Sequence, residues 1–100
     1  MARKIIRWTK RANRQFDAII LYYSDNYSEQ ATRTLVSTVY DRIDVLAVHP
    51  YIGRRTPTTK TVREVLVNRN LKLYYRLHGK VLIVTAFFSN KQHPDSNPYA

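Results

Sequence analysis

Residues 71–78 read Leu-Lys-Leu-Tyr-Tyr-Arg-Leu-His, so Lys72, Tyr74, Arg76 and His78 alternate with Leu71, Leu73, Tyr75 and Leu77. Successive side chains of a strand point to opposite faces, and this alternation therefore marks a half-buried strand with one apolar and one polar face. The polar face carries two cations, a phenol and an imidazole in a row. Cations in such a row hold a phosphate or carboxylate, and with a proton donor or acceptor beside them they can assist RNA cleavage. The same row also reads as an ordinary solvated strand face. Cutting RNA, binding an anion and simple solvation are the three readings open at this point.

The rest of the chain favours an anionic partner. It has 100 residues and a formal net charge of +10. Residues 1–50 carry eight Lys/Arg against five Asp/Glu, and residues 51–100 carry nine against two. In the second half only Glu64 and Asp95 offset the cations. A surface this basic attracts polyanions, either nucleic acid or an acidic protein, and gives salt-sensitive binding. The chain contains no cysteine, which excludes disulfides and thiolate zinc sites and fits a reducing cytoplasm. His49, His78 and His93 are scattered singly along the chain, so no metal site and no cofactor are expected. No paired carboxylates, Ser/His/Asp grouping or glycine-rich phosphate loop is present. The first residues lack the apolar run of a signal peptide, and no stretch nears the roughly 18 apolar residues of a membrane helix. A cytoplasmic protein without membrane contact is expected, as a single domain over 1–100 with 91–100 as a mobile tail.

The elements that must position the polar face follow from periodicity. Lys4 to Trp8 is a short β-prone run suited to a sheet edge. Thr9 is a helix N-cap, followed by Ala12, Phe16, Ile19, Ile20, Tyr23 and Tyr27 at helical spacing, which predicts a helix over about 10–26. Ser28 caps a second helix, with Ala31, Leu35, Val39, Ile43 and Leu46 as its buried stripe, and Pro50 ends it. The short link between them predicts an antiparallel helical hairpin. Residues 50–60 lack periodicity and read as an exposed loop. Three strands are expected at about 61–67, 71–78 and 81–90, joined by Asn68-Arg69-Asn70 and Gly79-Lys80. The last is nearly continuous in apolar residues, as an inner strand covered on both faces would be. The fold class is α+β in the order β-α-α-β-β-β, with the helical hairpin packed on a small, mostly antiparallel four-stranded sheet.

Several of these pieces, in this order, resemble the RelE/ParE superfamily of toxins from bacterial type II toxin–antitoxin systems. They are Trp8-Thr9 leading into a helix with Ala12 and Tyr22-Tyr23, then Ala31, Leu46 and Pro50 on the second helix. Gly53-Arg54, Val62-Arg63-Glu64-Val65, Lys72-Leu73-Tyr74-Tyr75-Arg76 and Phe88-Ser89-Asn90-Lys91-Gln92-His93-Pro94 follow. The resemblance spans about residues 4–94. It implies a growth-inhibiting toxin neutralised by a cognate acidic antitoxin, in a toxin–antitoxin hetero-oligomer. ParE-like members of the superfamily inhibit DNA gyrase, and RelE-like members cleave mRNA on the ribosome.

For the RelE-like activity, the resemblance points to Arg63, Lys72 and Lys91 as the phosphate-facing cations, with His93 or Tyr99 as the acid. Val65 stands where that set has a further basic residue. The Pro50-x-x-Gly53-Arg54 segment, the Val62-Arg63-Glu64 start and the Tyr75-Arg76 pair lean toward the ParE-like branch, as does the incomplete nuclease set. In that reading Arg54, Arg63, Lys72, Tyr74 and Arg76 form a partner-binding surface. A basic nucleic-acid-binding module without toxicity is the third reading. The plain alternatives remain for single residues: Arg63 paired with neighbouring Glu64, Lys72 and Arg76 solvated, His78 a turn residue, and His93 part of the tail.

Overall fold

The computed structural model describes residues 2–90. Two capped helices form first in the chain after a short strand. Strand β1 spans Ile5–Trp8, helix α1 Lys10–Asn26 and helix α2 Glu29–Val48. At the start of α1 the Thr9 hydroxyl accepts from the Ala12 N–H at 3.0 Å and donates to the Thr85 carbonyl at 2.9 Å. The Ser28 hydroxyl accepts from the Ala31 N–H at 3.0 Å and starts α2 in the same way. Each cap satisfies a backbone donor that the helix itself leaves unpaired. Helix α1 runs to Asn26, with Tyr27 as its C-cap, over the range that the spacing predicts. Only Tyr27 and Ser28 separate the helices, and this short link returns the chain on itself.

The remaining strands are β2 Arg54–Arg55, β3 Val62–Asn68, β4 Leu71–His78 and β5 Val81–Ser89. Among the described residues the sheet has five strands in the order β1-β5-β4-β3-β2. β1 runs parallel to β5, and the other pairs are antiparallel. The fifth strand corrects the four-stranded expectation. It lies inside the segment read as loop, and two residues are too few to carry a period. At the β3–β4 turn the Asn68 side chain accepts from the Asn70 N–H at 2.8 Å. Gly79, at φ 57°, takes the left-handed conformation that the two-residue β4–β5 turn requires.

The helices cover one face of the sheet. Ala12, Phe16, Ile19 and Tyr23 of α1 and Leu35, Val39, Ile43 and Leu46 of α2 pack on Val67, Leu71, Leu73, Tyr75, Leu82, Val84 and Phe87. Trp8, Phe16 and Phe87 meet with ring centroids 5.2–5.4 Å apart. A smaller cluster of Val62, Tyr74 and Ala86, flanked by Phe88, lies on the other face. Hereafter the first is the helix side and the second the open side. No helix among the described residues is long and apolar enough to cross a membrane.

Two irregularities set which residues share a face. On β5, Tyr74 pairs with Ala86 and Tyr75 with Val84, leaving Thr85 as an inserted residue. The polar side chains of α1 satisfy this bulge: Thr9 takes the Thr85 carbonyl, and Gln15 accepts from the Phe87 N–H at 2.8 Å. On β3, Leu66 pairs with Lys72 and Asn68 with Leu71, leaving Val67 inserted. A bulge of this kind shifts the register by one residue on its far side.

Candidate functional site

On the side of the Val67 bulge away from the β3–β4 turn, Glu64 pairs across the strands with Tyr74 and Arg63 with Tyr75. Glu64 therefore lies on the open side with Lys72, and Arg63 on the helix side. Arg54, opposite Glu64 on β2, completes an ionic group. Its Nε and Nη2 donate to Glu64 Oε1 at 3.1 and 2.7 Å. Lys72 Nζ lies 3.9 Å from Glu64 Oε2. The Glu64 side chain is 9% exposed and that of Arg54 78%, so a nearly buried carboxylate anchors an outward guanidinium. Arg76 and His78 continue the same face and are exposed.

Tyr74 does not stand on this surface. It is fully buried in the small cluster beneath it. The alternation gave its side correctly, but a phenol flanked by Val62 and Ala86 is large and apolar enough to be covered there. It supports the face from below instead of presenting a ring to a partner.

Arg63 is committed to the segment that follows α2. Its Nη1 donates to the Gly53 carbonyl at 2.7 Å and reaches the Tyr51 carbonyl at 3.4 Å. Its guanidinium lies 5.4 Å from the centroid of the Tyr51 ring. Beside it the Tyr75 hydroxyl accepts from the Gly53 N–H at 3.0 Å and donates to the Pro50 carbonyl at 2.7 Å. Burial pushes the Tyr75 phenol above its ordinary value of 10.0, while the Gly53 N–H and the Arg63 charge pull it the other way without overcoming burial. Gly53 is required here for closeness: a Cβ on it would overlap the Tyr75 hydroxyl and lie 2.7 and 2.9 Å from Cε1 and Cζ of that ring. Tyr75 and Arg63 thus latch residues 50–53 to the sheet and fix where Arg54 leaves it.

Of the residues selected from the sequence, the structure brings together Arg54, Lys72 and Arg76 on the open side and leaves Arg63 on the other. Glu64, seen in the sequence only as a neighbour for Arg63, is the counter-ion of Arg54 and Lys72 instead. Its signal was its isolation, since it is one of two acids in the second half of the chain. Val65 faces the helix side opposite Leu73. Lys91, His93, Tyr99 and the 91–100 tail lie outside the described residues. No group of three His, Cys, Asp or Glu that could hold a metal ion occurs among the described residues.

A helical hairpin on one face of this sheet is the fold of type II toxins of the RelE/ParE superfamily. The chain of the chromosomal ParDE toxin–antitoxin system from P. aeruginosa superposes with a TM-score of 0.73 at 19% identity, over 86% of this chain and 95% of that one. The E. coli DinJ–YafQ toxin–antitoxin complex contains a chain that superposes with a TM-score of 0.62 at 12% identity, over 91% and 97%. At these identities the likeness concerns the fold. The family is set by sequence: the model for the ParE toxin of the type II toxin–antitoxin system parDE matches residues 6–94. Y4kP of Sinorhizobium fredii is 34% identical over 94 residues, covering 94% of this chain and 97% of that protein. The chain belongs to the ParE toxin family and is the toxin component of a type II toxin–antitoxin system.

Proposed function

We propose that the protein inhibits bacterial growth in the cytoplasm by binding DNA gyrase through protein contacts, and that a cognate acidic antitoxin neutralises it. The observation that carries this reading over RNA cleavage is the separation of Arg63 from Lys72. A nuclease centre needs its cations around one phosphate. Here Arg63 and Lys72 lie on opposite faces of the sheet, Lys72 is within reach of Glu64, and Val65 adds no charge. The antitoxin half of the proposal is supported by the name of the family and by the two structures of toxin–antitoxin systems described above. On this chain the exposed cations Arg54 and Arg76 and the half-buried Lys72 share the open side and supply a surface for its carboxylates, because Glu64 neutralises only part of their charge.

Supercoiling of relaxed plasmid by purified gyrase tests the first half. The full chain is expected to stop supercoiling, and prior mixing with the antitoxin to restore it. Primer extension on ribosome-bound mRNA should show no new cuts. Codon-specific cuts abolished by Lys72→Ala, with supercoiling untouched, would replace gyrase inhibition by the RelE-like reading.

A further inference from the structure

The two faces of the sheet edge differ in how their cations are balanced. On the open side Arg54 and Lys72 share Glu64. On the helix side a cleft of about 390 Å³ is lined by Tyr51, Arg55, Lys60, Thr61, Arg63 and Leu77, with no carboxylate in its wall. Arg55 and Arg63 sit directly opposite each other on β2 and β3, where like charges repel. None of the three cations forms an ion pair among the described residues. Arg63 uses Nη1 on the Gly53 and Tyr51 carbonyls, and its Nε and Nη2 have no hydrogen-bond partner among the described residues. Tyr51 is 68% exposed, with the Arg63 guanidinium near its ring.

We infer that this cleft binds a single strand of nucleic acid, with backbone phosphates against Arg55, Lys60 and Arg63 and a base stacked on Tyr51. Cations that track a backbone beside an aromatic platform are how proteins hold single strands without reading their sequence. An acidic peptide would also neutralise the cations but would give the exposed Tyr51 ring nothing flat to stack on. The inference is independent of gyrase as the target. It assigns binding alone, with Arg55, Lys60 and Arg63 on phosphates and Tyr51 under a base, and no cleavage.

The test is fluorescence anisotropy of a labelled short oligothymidylate with the purified full chain over a range of KCl concentrations. Three neutralised phosphates give a slope of log affinity against log salt of about −2, at roughly 0.7 per phosphate. Lys60→Gln and Arg55→Gln should each flatten the slope by about 0.7. Tyr51→Ala should weaken binding about tenfold and leave the slope unchanged. Arg54→Gln, on the other face, should alter neither. All four positions are exposed, and a circular dichroism spectrum like that of wild type with a single cooperative melt above the assay temperature would confirm that each variant folds. If Tyr51→Ala fails to fold, the Lys60→Gln and Arg55→Gln slopes still decide. Lack of binding at low salt, or an equal loss with Arg54→Gln, would overturn the inference. Tighter binding of an oligoglutamate peptide with the same dependence on Arg55 and Lys60 would also overturn it and assign the cleft to an acidic protein. Failure to inhibit supercoiling alongside intact oligothymidylate binding would sink only the gyrase proposal.

Discussion

Replacing Gly53 by Ala should unlatch the segment that carries Arg54. The new methyl would meet the hydroxyl, Cε1 and Cζ of Tyr75, a side chain that is itself fully buried against the helices. One of two adjustments must follow. If the phenol moves, it loses its bonds to the Gly53 N–H and the Pro50 carbonyl. If residues 50–53 lift away, those bonds are lost and so is the one from Arg63 to the Gly53 carbonyl. Two or three hydrogen bonds at about 1 kcal/mol each, plus local overpacking of at least about 1 kcal/mol, give a loss of about 3 kcal/mol. For a domain of this size that corresponds to a fall in melting temperature of roughly 12–20 °C.

A double-mutant cycle with Tyr75→Phe tests the cause as well as the size. Tyr75→Phe alone removes the hydroxyl and both its bonds, and should cost about 1–2 kcal/mol. Once the hydroxyl is absent, Gly53→Ala has fewer bonds to break and a smaller atom to displace. The double variant should therefore lose less than the sum of the singles by at least about 1 kcal/mol. Urea denaturation of the four proteins measures this. A Gly53→Ala protein that melts within about 2 °C of wild type, or strictly additive singles, would refute the latch.

Three further outcomes are expected. Because burial raises the Tyr75 pKa in the folded state, its contribution to stability is complete below the ordinary value of 10.0 and declines as pH rises through the higher folded value; denaturation midpoints above pH 10 should therefore fall more steeply for wild type than for Tyr75→Phe. Arg54→Ala leaves the nearly buried Glu64 with only Lys72 at 3.9 Å, and should cost about 1 kcal/mol after allowance for the exposure of Arg54, an effect that shrinks in high salt in urea titrations. Thr9→Ala removes both the α1 cap and the donor to the bulge carbonyl at Thr85, and should cost about 1–2 kcal/mol in thermal melts, with Thr9→Ser restoring most of it.

Periodicity carried most of the fold. Ala12, Phe16, Ile19 and Tyr23 had helical spacing because that stripe packs on the sheet, and Thr9 and Ser28 had cap chemistry because helix starts need acceptors. The alternation at 71–78 separated Leu71, Leu73 and Tyr75 from Lys72 and Arg76 because one face of β4 meets the helices. Alternation does not say what covers the other face, so the burial of Tyr74 was beyond its reach. Gly53 and Tyr75 were visible as separate residues, yet their contact spans 22 positions and leaves no local pattern.

The candidate site depended on something finer than either period. Joined by a regular turn, β3 and β4 would run from Asn68–Leu71 through Val67–Lys72 and Glu64–Tyr75 to Arg63–Arg76. Arg63 would then share a face with Lys72 and Arg76, as the nuclease reading requires. The inserted Val67 removes one step of that register, so Leu66 meets Lys72, Glu64 meets Tyr74, and Arg63 meets Tyr75. Because strand side chains alternate with period two, one inserted residue exchanges the two faces for every position beyond it. Burial supports this register: Val67 is 4% exposed in the main core and Leu66 is 53% exposed, whereas the regular pairing would put Leu66 beside buried Leu73. The insertion thus puts Glu64 diagonal to Lys72, where the regular register would put Val65, and takes Arg63 away from Arg76. It also delivers Arg63 to the Gly53 carbonyl, so the same residue of register that takes Arg63 off the face of Lys72 builds the latch that holds Arg54 in place.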